Sequence, residues 1–318
     1  VTSLRWTKLG HVFSPDTSWW WARNGYCHLP TATLVSPRLL RVYYAALDEN
    51  RYGRIGYVDL DAEEPTRVVS APSEPVLDIG ALGSFDDCGV VPSSLVRVGT
   101  SLWLYYVGFQ RAERVPYMLF TGLATAREGD DDRFIRYSRV PILDRTSDEP
   151  FSRSAPCVLV EDGLFRMWYW SCIEWTPHQL QPHYNNVIRY ATSPDGIVWD
   201  VHPHICIQPD FTTEYSIGRP AVWHHKGLYH MWYSIRSFER PYEIGYAVSQ
   251  DGIDWLRHDA AAGIAASETG WDSEMICYPN VVAVGDMVYM VYNGNRHGAT
   301  GFGVARLNLE AHGQHDCP

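Results

Sequence analysis

A proline followed 12 to 14 residues later by two adjacent large side chains recurs five times along this 318-residue chain. Pro30 leads to Tyr43 and Tyr44, Pro92 to Tyr105 and Tyr106, Pro156 to Trp168 and Tyr169, Pro220 to Trp232 and Tyr233, and Pro279 to Val291 and Tyr292. The prolines are spaced by 62, 64, 64 and 59 residues. A further strand-like run completes each unit: RIGYVDL, MLFTGLATA, VIRYATS, EIGYAVS and GFGVARLN. Two units share a longer match, RYATSPDGIVWD (189–200) against GYAVSQDGIDWL (245–256), in which Asp-Gly between apolar runs signals a hairpin. A period of this length, built from three or four strands with no long helical pattern, predicts an all-β chain folded as a five-bladed β-propeller with a central funnel-shaped active site. A β-sandwich with accidental internal similarity is the competing architecture. The expected organisation is one domain over 1–318, with blades at roughly 20–78, 85–145, 150–208, 214–265 and 272–308. Residues 1–19 are expected to help close the ring.

Composition narrows the function classes. A formal net charge of −11 and the absence of a basic stripe argue against a nucleic-acid partner. No run approaches the roughly 18 consecutive apolar residues of a membrane-spanning helix, so no membrane partner is expected. The start, VTSLRWTKLGHVFSP, lacks the basic and apolar regions of a secretory signal. Seven cysteines without CxxC or metal-finger spacing read as buried free thiols in a reducing compartment, hence a cytoplasmic location. The 13 Trp and 20 Tyr suit a strand-rich fold and a site whose flat rings meet sugar faces.

In a propeller the first strand of each blade lines the central channel. Polar residues just before each marker proline are therefore expected to converge at one mouth. Acids stand five to seven positions before the proline in four units: Asp86 and Asp87, Glu149, Glu214, and Asp272 with Glu274. They are either turn caps and solvated mouth residues, or a ring of carboxylates able to assist a leaving oxygen and steady an oxocarbenium-like carbon. In SFDDCGVVPSSL, strand alternation points Asp86 and Asp87 opposite ways, with Asp87 expected in the pocket. Arg23, Asn24, Arg153 and Arg219 fall in the same inner segments. The arginines would either neutralise the acids or hold an anionic part of a substrate such as a diphosphate. Tyr278 sits directly before Pro279, and Asn293 belongs to the polar loop YNGNRHGATGFG. His28, His183 and His297 are either structural or a weak set of ligands for a divalent metal such as Mn or Mg. The insertion WSCIEWTPHQLQPHYNN is too long for a hairpin turn, and its Trp170, Trp175, His183 and Tyr184 would wall a sugar or base.

The Ser-x-Asp-Gly-x-x-Trp turns, the YYVGF and MWYS second strands and the acids at blade starts resemble the five-bladed β-propeller glycosidase superfamily, which includes glycoside hydrolase families 43, 32, 68 and 130. The resemblance implies catalytic carboxylates on inner strands of different blades, by position Asp86 or Asp87, Glu149, Glu214 and Glu274. The WMNDPNG-type start of the sucrose families is absent; the matching region reads WWWARNGYCHL. The fold also resembles that of outliers that process nucleotide sugars, including flavin-independent pyranose–furanose mutases. No dinucleotide fingerprint follows a strand, so neither flavin nor nicotinamide is expected. The arginines favour an anionic substrate, most of all a nucleotide-diphosphate sugar undergoing ring isomerisation. A glycoside hydrolase or phosphorylase using a carboxylate pair is the alternative, and a non-catalytic sugar-binding propeller the third reading.

Overall fold

The computed structural model describes residues 4–127, 129, 133–178 and 182–308. After an opening strand β1 (Arg5–Phe13), four antiparallel strands form each of the first four blades. They are β2 (His28–Ser36), β3 (Leu39–Leu47), β4 (Gly53–Asp61) and β5 (Val68–Ser70); then β6 (Val90–Val98), β7 (Ser101–Arg111), β8 (Tyr117–Arg127) and β9 (Ile135–Arg136). Blade three comprises β10 (Arg153–Glu161), β11 (Leu164–Thr176), β12 (His183–Ser193) and β13 (Asp200–Ile207). Blade four comprises β14 (Glu214–His225), β15 (Leu228–Ser237), β16 (Glu243–Ser249) and β17 (Leu256–Arg257). The last blade has β18 (Cys277–Val284), β19 (Met287–Asn293) and β20 (Phe302–Asn308), and β1 pairs antiparallel with β20 as its fourth strand. The inner strands β2, β6, β10, β14 and β18 neighbour one another in cyclic order. The chain is thus a five-bladed β-propeller whose ring is closed by joining its two ends in one sheet.

The recurring pair of large side chains explains how the blades stack. Consecutive residues on a strand point to opposite faces, so each second strand sends one large side chain to each neighbouring blade, a ring in every case but Val291. Tyr43 packs into the interface with blade two and Tyr44 into the interface with blade five. The rule repeats with Tyr105 and Tyr106, Trp168 and Tyr169, Trp232 and Tyr233, and Val291 and Tyr292. All ten side chains are completely buried. The hydrophobic core is consequently five inter-blade layers rather than one central mass, and it leaves the axis free.

Cutting one ring should loosen a whole interface. Trp168 is fully buried and donates its indole N–H to the Gly252 carbonyl at 2.7 Å. Trp168→Ala is expected to cost about 3–5 kcal/mol by denaturant unfolding, well beyond the effect of truncating the half-buried Trp255 of the adjoining turn.

Candidate functional site

A cavity of about 640 Å³ opens among the first residues of all five inner strands. The marker prolines are responsible for its walls. Each inner strand carries a β-bulge at its proline, between His28 and Thr31, Pro92 and Ser94, Ser154 and Cys157, Gly218 and Ala221, and Cys277 and Asn280. Proline suits a bulge because the ladder asks for no N–H there. The residue before each proline, Leu29, Val91, Ala155, Arg219 or Tyr278, lines the cavity. Four of them hold left-handed backbone, at φ 50° for Leu29, 48° for Ala155, and 55° for both Arg219 and Tyr278. Such strain persists only where surrounding structure imposes it.

None of Asp86, Asp87, Glu149, Glu214 and Glu274, expected as catalytic groups, is among the residues that line this cavity. Asp86 is buried and accepts hydrogen bonds from the Tyr106 hydroxyl at 2.9 Å and Arg136 Nε at 2.7 Å. Glu149 accepts from the Tyr169 hydroxyl at 3.0 Å and lies between Arg153 (3.2 Å) and Arg189 (3.6 Å). Asp272 takes the Tyr292 hydroxyl at 2.9 Å and Lys8 at 2.6 Å. Glu214 meets Arg257 at 3.0 Å, and Arg257 bridges to Asp259, which accepts from the Tyr233 hydroxyl at 2.5 Å. Each acid is therefore locked to the second tyrosine of the repeated pair, or to its acidic partner, and to a cation from an outer or adjacent strand. Repetition of the acids reflects repetition of this lock. Asp87 accepts the Gly83 N–H at 2.8 Å and contacts the Cys88 thiol at 3.1 Å; it is Cys88, not Asp87, that lines the cavity. Glu274 is exposed away from the site.

Among the described residues, Arg51, Arg111, Arg219 and Arg236 line the cavity together with His28 and His297, and no aspartate or glutamate does. Arg219 is buried and crosses the ring, donating to the Ser93 carbonyl at 2.5 Å and to Thr31 Oγ1 at 2.8 Å. It thereby ties blade four to blades two and one without a carboxylate among the described residues. Burial lowers its pKa to about 10. Arg111 donates to the Asn50 carbonyl at 2.8 Å, and Arg51 is exposed at the rim. Arg236 lies 4.4 Å from the Tyr184 ring centre and 4.5 Å from that of Tyr242. Burial, with the nearby His297 and Arg51 charges, lowers the His28 pKa to about 3; burial and Arg236 lower that of His297 to about 4. Both imidazoles are neutral at pH 7, and the burial that keeps them so also makes them weaker bases than a free imidazole.

Arg23 and Asn24 are exposed before β2 and Arg153 is spent in the Glu149 lock, so none of these three lines the cavity. Trp170, Tyr184, Arg219 and Tyr278 do line it. Trp175 stands behind the wall, edge-on to Tyr184 at 5.4 Å. Asn293 is a positioning residue: Oδ1 accepts from the Leu29 N–H at 3.0 Å, and Nδ2 donates to the Cys27 carbonyl at 2.6 Å, which brackets His28. His183 stacks on His178 and Tyr215, outside the cavity lining, and no group of three or more metal-ligating side chains occurs among the described residues. A lining of guanidinium groups does not fit a divalent cation held by the protein. The cavity residues Arg51 and Arg111 escape a reading centred on the prolines, and Arg236 enters it only as a weaker candidate from a later blade strand. They follow the aromatic pair by three to seven residues, as does His297, because the second strand of each blade runs back toward the mouth where the first begins.

No protein-family model matches the chain. Two Mycobacterium tuberculosis proteins, both described as uncharacterized, MT1551 of strain CDC 1551 / Oshkosh and Rv1502 of strain H37Rv, are each 36% identical over 305 residues, spanning 96% of this chain and 99% of their own. Among solved structures, a protein named glycoside hydrolase superposes with a TM-score of 0.72 at 18% identity, covering 98% of this chain and 94% of its own. A thermostable family-43 glycoside hydrolase gives 0.61 at 16% identity, covering 89% and 88%. The Bombyx mori GH32 beta-fructofuranosidase BmSUC1 gives 0.61 at 14% identity, covering 96% of this chain and 61% of its own. At these identities the likeness is one of fold.

Two outcomes follow from this geometry. Asp86→Asn, which strands Arg136, is expected to cost about 3 kcal/mol of stability, whereas Glu274→Gln stays within about 0.5 kcal/mol; paired urea titrations check this. The histidines also set a pH dependence. Their folded pKa values, about 3 and about 4, lie below the ordinary 6.5. The unfolded chain therefore binds protons first, and stability falls as pH drops from 6.5 toward 4. Melting curves across that window should flatten in His28→Gln and His297→Gln.

Proposed function

The chain belongs to the family of the Mycobacterium tuberculosis protein Rv1502, and we propose that it acts at the anomeric carbon of an anionic sugar, foremost a nucleotide-diphosphate sugar, exchanging pyranose and furanose ring forms. The observation that carries this reading is a cavity lined by four arginines and two neutral histidines, with no carboxylate among the described residues. Guanidinium forks match phosphoryl oxygens, and they stabilise negative charge as it develops on a leaving diphosphate. In the proposed reaction the C1–O bond to the diphosphate breaks, with its electron pair leaving on the phosphoryl oxygen. A ring hydroxyl then attacks C1 while a neutral imidazole, His28 or His297, takes its proton. The former ring C1–O bond opens, its oxygen receives that proton, and the diphosphate returns to C1. Nothing is gained or lost, as an isomerisation requires. Trp170, Tyr184 and Tyr117 would shield the cation-like carbon from water. The reading carries with it a cytoplasmic location.

A second reading, hydrolysis or phosphorolysis of a glycosidic bond, is favoured by the fold shared with proteins named glycoside hydrolases. It would have to operate without the inner-strand acids, which are locked away from the cavity.

Scanning fluorimetry with nucleoside diphosphates, nucleotide-diphosphate hexoses and neutral oligosaccharides separates the two, because a ligand that binds only the folded state raises its melting temperature. The diphosphates should raise it, and Arg236→Gln or Arg51→Gln should weaken their binding at least tenfold by calorimetry. NMR of the incubated nucleotide sugar should show a furanose product. Shifts with neutral oligosaccharides alone, together with released reducing sugar, would sink the first reading in favour of the second.

A further inference from the structure

Three neighbouring strands place one residue each in a row along the cavity wall. Asn186 on β12 pairs with Ser216 on β14, and Ser216 pairs with Arg236 on β15. All three line the cavity. The row runs from a neutral amide through a hydroxyl to a cation.

Its amide end is unusual. Asn186 is 3% exposed, and its Nδ2 donates to Ser216 Oγ at 2.9 Å. Its Oδ1 is buried with no hydrogen-bond partner. A buried acceptor left unpaired costs free energy that a bound donor recovers. Phosphoryl oxygens are acceptors themselves, so they cannot satisfy it. Ser216, having accepted from Asn186, keeps its own proton to donate. At the other end, Arg236 has rings at 4.4 and 4.5 Å and no carboxylate partner among the described residues. Neighbouring strands lie about 4.8 Å apart, so the row spans two strand spacings, the scale of a sugar ring and its attached phosphate.

We propose that this row is the specificity element of the cavity: Asn186 Oδ1 accepts a hydrogen bond from a hydroxyl of the bound sugar while Arg236, assisted by Ser216, holds the adjoining phosphoryl group. The assignment rests on the anionic-sugar reading and adds to it that the sugar, not only the diphosphate, is read by a dedicated side chain. A site built around a polar contact discriminates against ligands that lack it far more strongly than an apolar pocket does.

The test compares two probes, the nucleoside diphosphate giving the largest thermal shift and its matching nucleotide-diphosphate hexose. The ratio of their Kd values, compared between each variant and wild type, isolates the sugar's contribution, since the extra terminal charge of the free diphosphate is common to every variant. Asn186→Ala is expected to lower that ratio at least tenfold while leaving diphosphate binding within threefold of wild type. Arg236→Gln should weaken both probes together. Asn186→Asp, which keeps an acceptor, should restore the ratio to within threefold even where its charge weakens both ligands. If Asn186→Ala does not fold, Asn186→Leu fills the space without an acceptor and reads the same ratio. An unchanged ratio in a variant that melts like wild type overturns this inference alone. Failure of the wild-type protein to bind either probe overturns the anionic-sugar reading, and this assignment with it.

Discussion

Everything else in the molecule depends on two adjacent side chains pointing in opposite directions. On the second strand of each blade, one large side chain enters the interface with the following blade and the next enters the interface with the preceding one. Five such pairs build five apolar layers around an axis none of them fills. Because each layer needs a blade on both sides, the last blade must meet the first. Pairing of β1 with β20 supplies that closure. The open axis is therefore a by-product of where the rings go, and the cavity occupies it.

The polar layer at the mouth is built on the same register. The hydroxyls of Tyr106, Tyr169 and Tyr292 emerge from the apolar layers and each meets a buried acid. A lone carboxylate at such a depth would be costly, and Arg136, Arg153 with Arg189, and Lys8 remove the cost. A repeated acid in a propeller can thus belong to the blade's own architecture rather than to a reaction. Asp86 and Asp87 show how local the distinction is: one closes a lock, the other caps a loop, and the following residue, Cys88, is the one at the cavity.

The fold was legible because the proline, the aromatic pair and their spacing are each tied to a geometric event that happens once per blade. Part of the site was legible for the same reason: Arg219 and Tyr278 precede their prolines, and the bulges turn them inward, whereas Leu29, Val91 and Ala155 hold the same place but are apolar and fell outside a search for polar groups. The acids misled because position before a proline says which end of the blade a residue occupies, but not whether a tyrosine and a cation will claim it first. That competition is decided between strands far apart in sequence; Lys8 reaches Asp272 and Arg257 reaches Glu214. Arg51 and Arg111 were hidden for a simpler reason. They lie past or at the far ends of second strands, where spacing varies with loop length and no repeated residue marks the register, while Arg236 sits within β15 and precedes no proline.

The chain's negative charge bears on the proposed anionic ligand in a way that magnitudes resolve. A net charge of −11 would repel a diphosphate at long range. At physiological ionic strength, however, exposed charges are screened beyond about 8 Å, whereas guanidinium groups at contact distance act through a medium far less polarisable than water. Asp86, Glu149, Glu214 and Asp272 are already paired with cations in their locks. What an approaching anion meets at the mouth is the exposed Arg51 and Arg111, then Arg236 further in. Sequestering the repeated carboxylates is the step that makes a cationic cavity possible in an acidic protein. A glycosidase-like fold can then present arginine and neutral histidine where a carboxylate pair would otherwise work.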